Sequence, residues 1–109
     1  MNILVVDDSK AMRMIVLRNL KQAGFENHNF IEAENGKDAL AKINASPPDL
    51  ILSDWNMPEM KGIELLQELK KAGKAIKFGF VTSESTDEIK NLAKENGALF
   101  VITKPFTAE

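Results

Sequence analysis

The chain has 109 residues, 44% of them hydrophobic and 28% charged, with a formal net charge of −2, as expected of one soluble globular domain large enough to bury a core. That charge balance gives no general attraction to nucleic acid or to an anionic membrane surface. The absence of cysteine excludes a disulfide framework, a thiolate metal site and a thiol nucleophile.

No basic-then-apolar leader opens the sequence and every apolar run is far too short to span a bilayer, so a cytoplasmic location is expected. Short apolar runs alternate with amphipathic stretches. A strand is expected over residues 3–6, then a helix with Met12, Val16, Leu20 and Ala23 on its inner face and Gly24 as its stop. A second strand over 30–33 leads to a helix marked by Ala39, Leu40 and Ile43 and ended by Ser46-Pro47-Pro48. A third strand over 50–53 leads to a helix marked by Ile63, Leu66 and Leu69, with Gly73 after it. A fourth over 78–82 leads to a helix marked by Ile89, Leu92 and Ala93, closed by Gly97. The fifth strand covers 100–103. The order βαβαβαβαβ argues for an open parallel sheet with right-handed crossovers. Strands that are apolar almost throughout are those covered by helices on both faces.

Polar residues gather where these strands end. Asp7 and Asp8 close the first apolar run, Asp54 closes the third, Thr82 ends the fourth strand and Lys104 follows the fifth. In open α/β sheets ligands sit beyond the carboxyl ends of the strands, so all five converge on one crevice. Singly, a strand-end Asp is more often a helix cap or turn former, Thr82 an ordinary β-branched strand residue, and Lys104 a solvated end. Together they are expected to form a site. Crowded carboxylates repel one another and burial disfavours each charge further; a cation offsets this, and a donor set made only of oxygen selects a hard one such as Mg²⁺.

Val5-Val6-Asp7-Asp8-Ser9, Ser53-Asp54-Trp55-Asn56-Met57-Pro58, Val81-Thr82-Ser83 and Lys104-Pro105-Phe106 occur in order and at matching spacing along the chain. In these motifs the sequence resembles the receiver domain of bacterial response regulators over residues 1–109. It is most similar to the single-domain chemotaxis regulators. The resemblance implies a flavodoxin-like, doubly wound α/β fold with a five-stranded parallel sheet of order 2-1-3-4-5. It further implies a phosphoprotein of a two-component system. Asp54 would be the phosphoacceptor, taking a phosphoryl group from a sensor histidine kinase. Asp8 would bind Mg²⁺ directly, Asp7 through water, and Asp54 and the Asn56 backbone carbonyl would add ligands. Thr82 would donate to a phosphoryl oxygen, and Lys104, before a cis Pro105, would place an ammonium on it. Asn56 and Glu84 would flank the path of an attacking water and tune the lifetime of the phosphate; Glu84 reads equally as a solvated loop acid.

The sequence departs from that pattern in three places. Receivers usually carry an aromatic switch residue three positions before the Lys, where this chain has Val101. Phe100 sits one residue earlier and, because side chains alternate across a strand, is expected on the opposite face as core filling. Gly79, inside the fourth strand, marks close approach of a neighbour, with room for Phe100 one reading. The fifth helix is expected to be missing or truncated after about residue 106, with Thr107 placed as its N-cap. An oligomer or a swapped element would otherwise have to cover that face.

The function expected is a module whose phosphorylation switches partner binding in chemotaxis, with the flagellar motor switch as partner and flagellar rotation as output. It would not be an enzyme beyond its own phosphorylation and dephosphorylation, and would contact neither nucleic acid nor membrane directly. The alternative is a receiver belonging to a longer regulator with a DNA-binding or enzymatic output domain. A phosphohydrolase would need an acid/base Asp two residues after its nucleophile, where this chain has Asn56. A flavin protein would need a Ser/Thr/Gly-rich phosphate loop after the first strand, which is absent from the sequence.

Overall fold

A computed structural model describes residues 2–25, 28–55, 57, 60–74, 76–82 and 86–103. Five strands, β1 (Asn2–Val6), β2 (Asn29–Ala33), β3 (Leu50–Ser53), β4 (Lys77–Thr82) and β5 (Phe100–Thr103), alternate with α1 (Lys10–Leu20), α2 (Gly36–Ala45), α3 (Gly62–Lys71) and α4 (Asp87–Glu95). All pairings are parallel and the sheet order is β2-β1-β3-β4-β5, the flavodoxin-like order expected. The predicted start of a fifth helix, including Thr107, lies outside the described residues.

Local chemistry sets the helix starts. The Ser9 hydroxyl accepts from the Met12 N–H, the Asn35 side chain from Asp38 N–H, and the Thr86 hydroxyl from Ile89 N–H, each satisfying a donor that the first helical turn leaves without a partner. After α3 and α4 the chain turns through Gly73 and Gly97, whose φ values of 72° and 93° lie where a side chain is penalised.

The period of two divides the strands between two cores. Leu4, Val6, Ile51, Phe78 and Phe80 face α2, α3 and α4, with Ala39, Ile43, Leu65, Leu69, Ile89 and Ala93 packed on them. Ile3, Val5, Leu52 and Val81 face the other way onto Val16, with Leu17, Leu20, Phe30 and Phe100 partly buried around them. Fully burying side chains of this size stabilises by about 1.5–3 kcal/mol each, so the α2–α4 face supplies most of the core.

Two helix faces differ from the sequence reading. Leu65, not used in that reading, is buried in α3, while Ile63 lies only partly buried beside the core. In α4, Ile89 and Ala93 point inward four residues apart, and Leu92 sits at the rim, 39% exposed.

Phe100 lies on the face opposite Val101, as alternation requires: Phe100 packs with the α1-side cluster and Val101 against the other. Gly79 is its partner in the β4–β5 register. A methyl group at Gly79 would stand 2.3 Å from both Cε1 and Cζ of the Phe100 ring. The glycine is therefore the space that the ring occupies.

Candidate functional site

Strand pairing alone brings the acidic residues together. Val6 of β1 aligns with Ser53 of β3, so Asp7 and Asp54 emerge side by side from neighbouring strands. Their backbones are held as well: Asp54 N–H donates to the Val6 carbonyl at 2.9 Å and Asp7 N–H to the Ala33 carbonyl at 3.1 Å. Asp7, Asp8 and Asp54 each offer a carboxylate oxygen, and these oxygens lie within 4.8 Å of one another. Asp7 is buried, Asp54 partly buried and Asp8 exposed, so the cluster opens to solvent on the Asp8 side.

The two deeper carboxylates have fixed orientations. Asp7 Oδ1 accepts from Ser9 N–H at 2.9 Å, and Asp54 Oδ1 accepts from Trp55 N–H at 2.8 Å. At an effective dielectric near 20, two negative charges this close repel by roughly 3 kcal/mol. Three oxygen donors converging from two strands, one face open to water, suit a hard divalent cation. At the start of α1, Ser9 is the N-cap and Asp7 Oδ1 accepts from its N–H, so Asp7 has a helix-start role that can coexist with a place in the acidic cluster.

Thr82 ends β4 beside the triad's strand and is buried, with Val81 and Phe80 beneath it in the two cores. Lys104, Asn56 and Glu84 lie outside the described residues.

The sequence reading did not find the supports of this site given by Arg13, Gly62 and the burial of Trp55 and Met57. Arg13, 13% exposed, donates from a terminal guanidinium nitrogen to the Asp7 backbone carbonyl and from Nε to Glu32 Oε1 at 3.0 Å, tying α1 to the ends of β1 and β2. Its signal was a lone cation three and four residues before Val16 and Leu17, on the apolar stripe of α1. Gly62 begins α3 with its N–H on the Trp55 carbonyl, and a methyl there would stand 2.2 Å from the Asp54 carbonyl oxygen. Trp55 and Met57 turn back into the core, the indole tilted against Phe80 at 4.9 Å between centroids. Asp54 is thus flanked by Trp55, anchored in the core, and by Gly62 against its carbonyl.

With this geometry in hand, the chain matches the response regulator receiver domain over residues 3–109. It belongs to that family. The receiver is 37% identical to chemotaxis protein CheY1 of Helicobacter pylori over 112 aligned residues, covering 100% of this chain and 89% of that protein. Among solved structures it is similar to chemotaxis protein CheY4 of Vibrio cholerae, with TM-score 0.86, 33% identity, and coverage of 98% and 88% of the two chains. It is also similar to a LuxR-family DNA-binding response regulator of Staphylococcus aureus, with TM-score 0.87, 25% identity, and coverage of 99% and 89%. Receiver domains are signalling modules that act with histidine kinases and output targets. No helix among the described residues is long and apolar enough to cross a membrane.

Proposed function

We propose that residues 1–109 form a phosphoacceptor receiver in which Asp54 accepts a phosphoryl group. The observation that carries this reading is the convergence of the Asp7, Asp8 and Asp54 carboxylates within 4.8 Å. A carboxylate is a competent nucleophile. An Asp54 oxygen forms the new O–P bond as the P–N bond of a kinase phosphohistidine breaks, and the imidazole leaves with the bonding pair. Asp7, Asp8 and Asp54 would hold Mg²⁺, which neutralises charge on the phosphoryl oxygens when bound, with the Asn56 carbonyl as a further ligand. The chain's own part is positioning and charge placement. The Trp55 N–H orients the nucleophile, the Thr82 hydroxyl donates to a phosphoryl oxygen, and the Lys104 ammonium balances the remaining charge. Asn56 and Glu84 set how readily water reaches the phosphate.

The likeness to chemotaxis proteins supports a cytoplasmic chemotaxis role, with a chemotaxis-type sensor kinase upstream and the flagellar motor switch downstream, changing flagellar rotation. A second reading, the receiver of a longer regulator with a DNA-binding output, is favoured by the close fit to the Staphylococcus aureus regulator. The lower identity of that match, 25% against 37%, ranks it second.

Incubation with acetyl phosphate and Mg²⁺, followed by intact mass measurement, tests the proposal. One phosphoryl adduct should form, vanish on chelation of the metal, and be absent in Asp54→Asn. Labelling of that variant would move the acceptor elsewhere.

A further inference from the structure

The acidic triad occupies the carboxyl end of the sheet; at the opposite end, the segment from the end of α3 to the start of β4 is rich in lysine. Residues 70–77 hold four lysines and no acid. Lys71 pairs with Glu68 at 3.8 Å, while among the described residues no ion pair engages Lys70, Lys74 or Lys77. These three line a groove of about 310 Å³ between the ends of α3 and α4, over Leu69, Ile76 and Leu99.

Leu99 is the most exposed large hydrophobic side chain described, at 62%. Its position is not loose. Leu99 N–H donates to the Phe78 carbonyl at 2.8 Å, and the preceding Ala98 N–H donates to Ala93 at 2.9 Å. The fold therefore holds an aliphatic side chain out in water, in the groove that Lys70, Lys74 and Lys77 also line.

We propose that this groove docks an acidic peptide segment of a partner protein, which seats an aliphatic side chain on Leu99 and Ile76 and sets its carboxylates against Lys70, Lys74 and Lys77. Charge and shape select this occupant. An aliphatic floor gives no aromatic platform on which a nucleic acid base could stack. A narrow groove takes one or two side chains, whereas a bilayer surface needs a broad apolar face. Because the groove and the acidic triad lie at opposite ends of the strands, docking here should be the same with or without Mg²⁺.

The test is a fluorescence anisotropy titration of the full chain with a short labelled peptide of aspartate and glutamate around a central Leu-Leu pair, mapped by amide chemical shifts. Binding should saturate below millimolar peptide, weaken with salt, and shift the amides of Leu99, Ile76 and Lys74. Leu99→Ser, at an exposed position that leaves the core intact, and a Lys70→Glu, Lys74→Glu, Lys77→Glu variant should each weaken it about tenfold. Three outcomes overturn the proposal: no saturable binding, equal binding of a peptide with alanine in place of leucine, or shifts confined elsewhere. Tighter binding to phosphatidylglycerol vesicles than to the peptide would assign the groove to membrane and equally overturn it.

Discussion

Gly79 and Phe100 are a matched pair: they face each other across the β4–β5 register, and the phenyl ring fills the volume that any side chain on Gly79 would need. Gly79→Ala forces Cβ to 2.3 Å from the ring, and overpacking of this kind costs about 1–3 kcal/mol. Phe100→Leu alone should also destabilise, through lost ring contacts. Combined, the two changes should cost less than their sum, because the smaller side chain makes room for the methyl. Urea unfolding of the four proteins measures this coupling; strict additivity would refute the pairing.

Gly62 protects the Asp54 backbone in a similar way. Gly62→Ala places a methyl 2.2 Å from the Asp54 carbonyl and 2.8 Å from Phe80 Cε1, and neither a backbone oxygen nor a packed ring can yield easily. Loss of about 1–3 kcal/mol of stability is expected, together with slower phosphorylation by acetyl phosphate under conditions where the variant is fully folded. A folded variant that reacts at the wild-type rate would separate Gly62 from the positioning of Asp54.

How legible all this was in the sequence depended on the range of the interaction. Apolar runs ending in Asp7, Asp54 and Thr82 announced the strands and the meeting of Asp7 with Asp54, since period and strand ends are local properties. Alternation likewise placed Phe100 opposite Val101. Gly62 and Arg13 escaped because their importance arises from tertiary approach: a glycine reads as a turn or helix start until the Asp54 carbonyl is seen against it. Leu65 and Leu92 were misjudged for a related reason. A stripe of leucines and isoleucines does not say where its edge lies until the sheet beneath sets the angle of the helix.

Arg13 should act on metal binding through geometry rather than charge. Arg13→Lys keeps the positive charge, but an ammonium cannot reproduce the guanidinium fork that reaches both the Asp7 carbonyl and Glu32. Changes to groups that hold a ligand in place commonly weaken metal affinity by 10-fold or more, so about a tenfold loss of Mg²⁺ affinity is expected. Trp55, the single tryptophan and the neighbour of Asp54, supplies the fluorescence signal for the titration. Unchanged affinity would reduce Arg13 to a structural tie.

The crowding of the triad carries its own thermodynamic signature. Without metal, Asp54 stands against the buried Asp7 charge. Asp54→Asn removes that repulsion and keeps an oxygen that can accept from Trp55 N–H. The full Coulomb figure must be discounted because Asp54 is only partly buried and water screens it, and because the other groups in contact with Asp7 and Asp54 offset part of the repulsion; a gain below about 1 kcal/mol is expected. Adding Mg²⁺ should reverse the order, since a ligand that binds only the native state stabilises it according to its affinity, and the variant has lost one of three carboxylate donors. Thermal unfolding in EDTA and in Mg²⁺ reads both arms. The asparagine variant should melt higher in EDTA, and the wild-type chain should gain more from the metal. A variant less stable than wild type in EDTA would mean that hydrogen bonds to Asp54, rather than repulsion, dominate the energetics of the cluster.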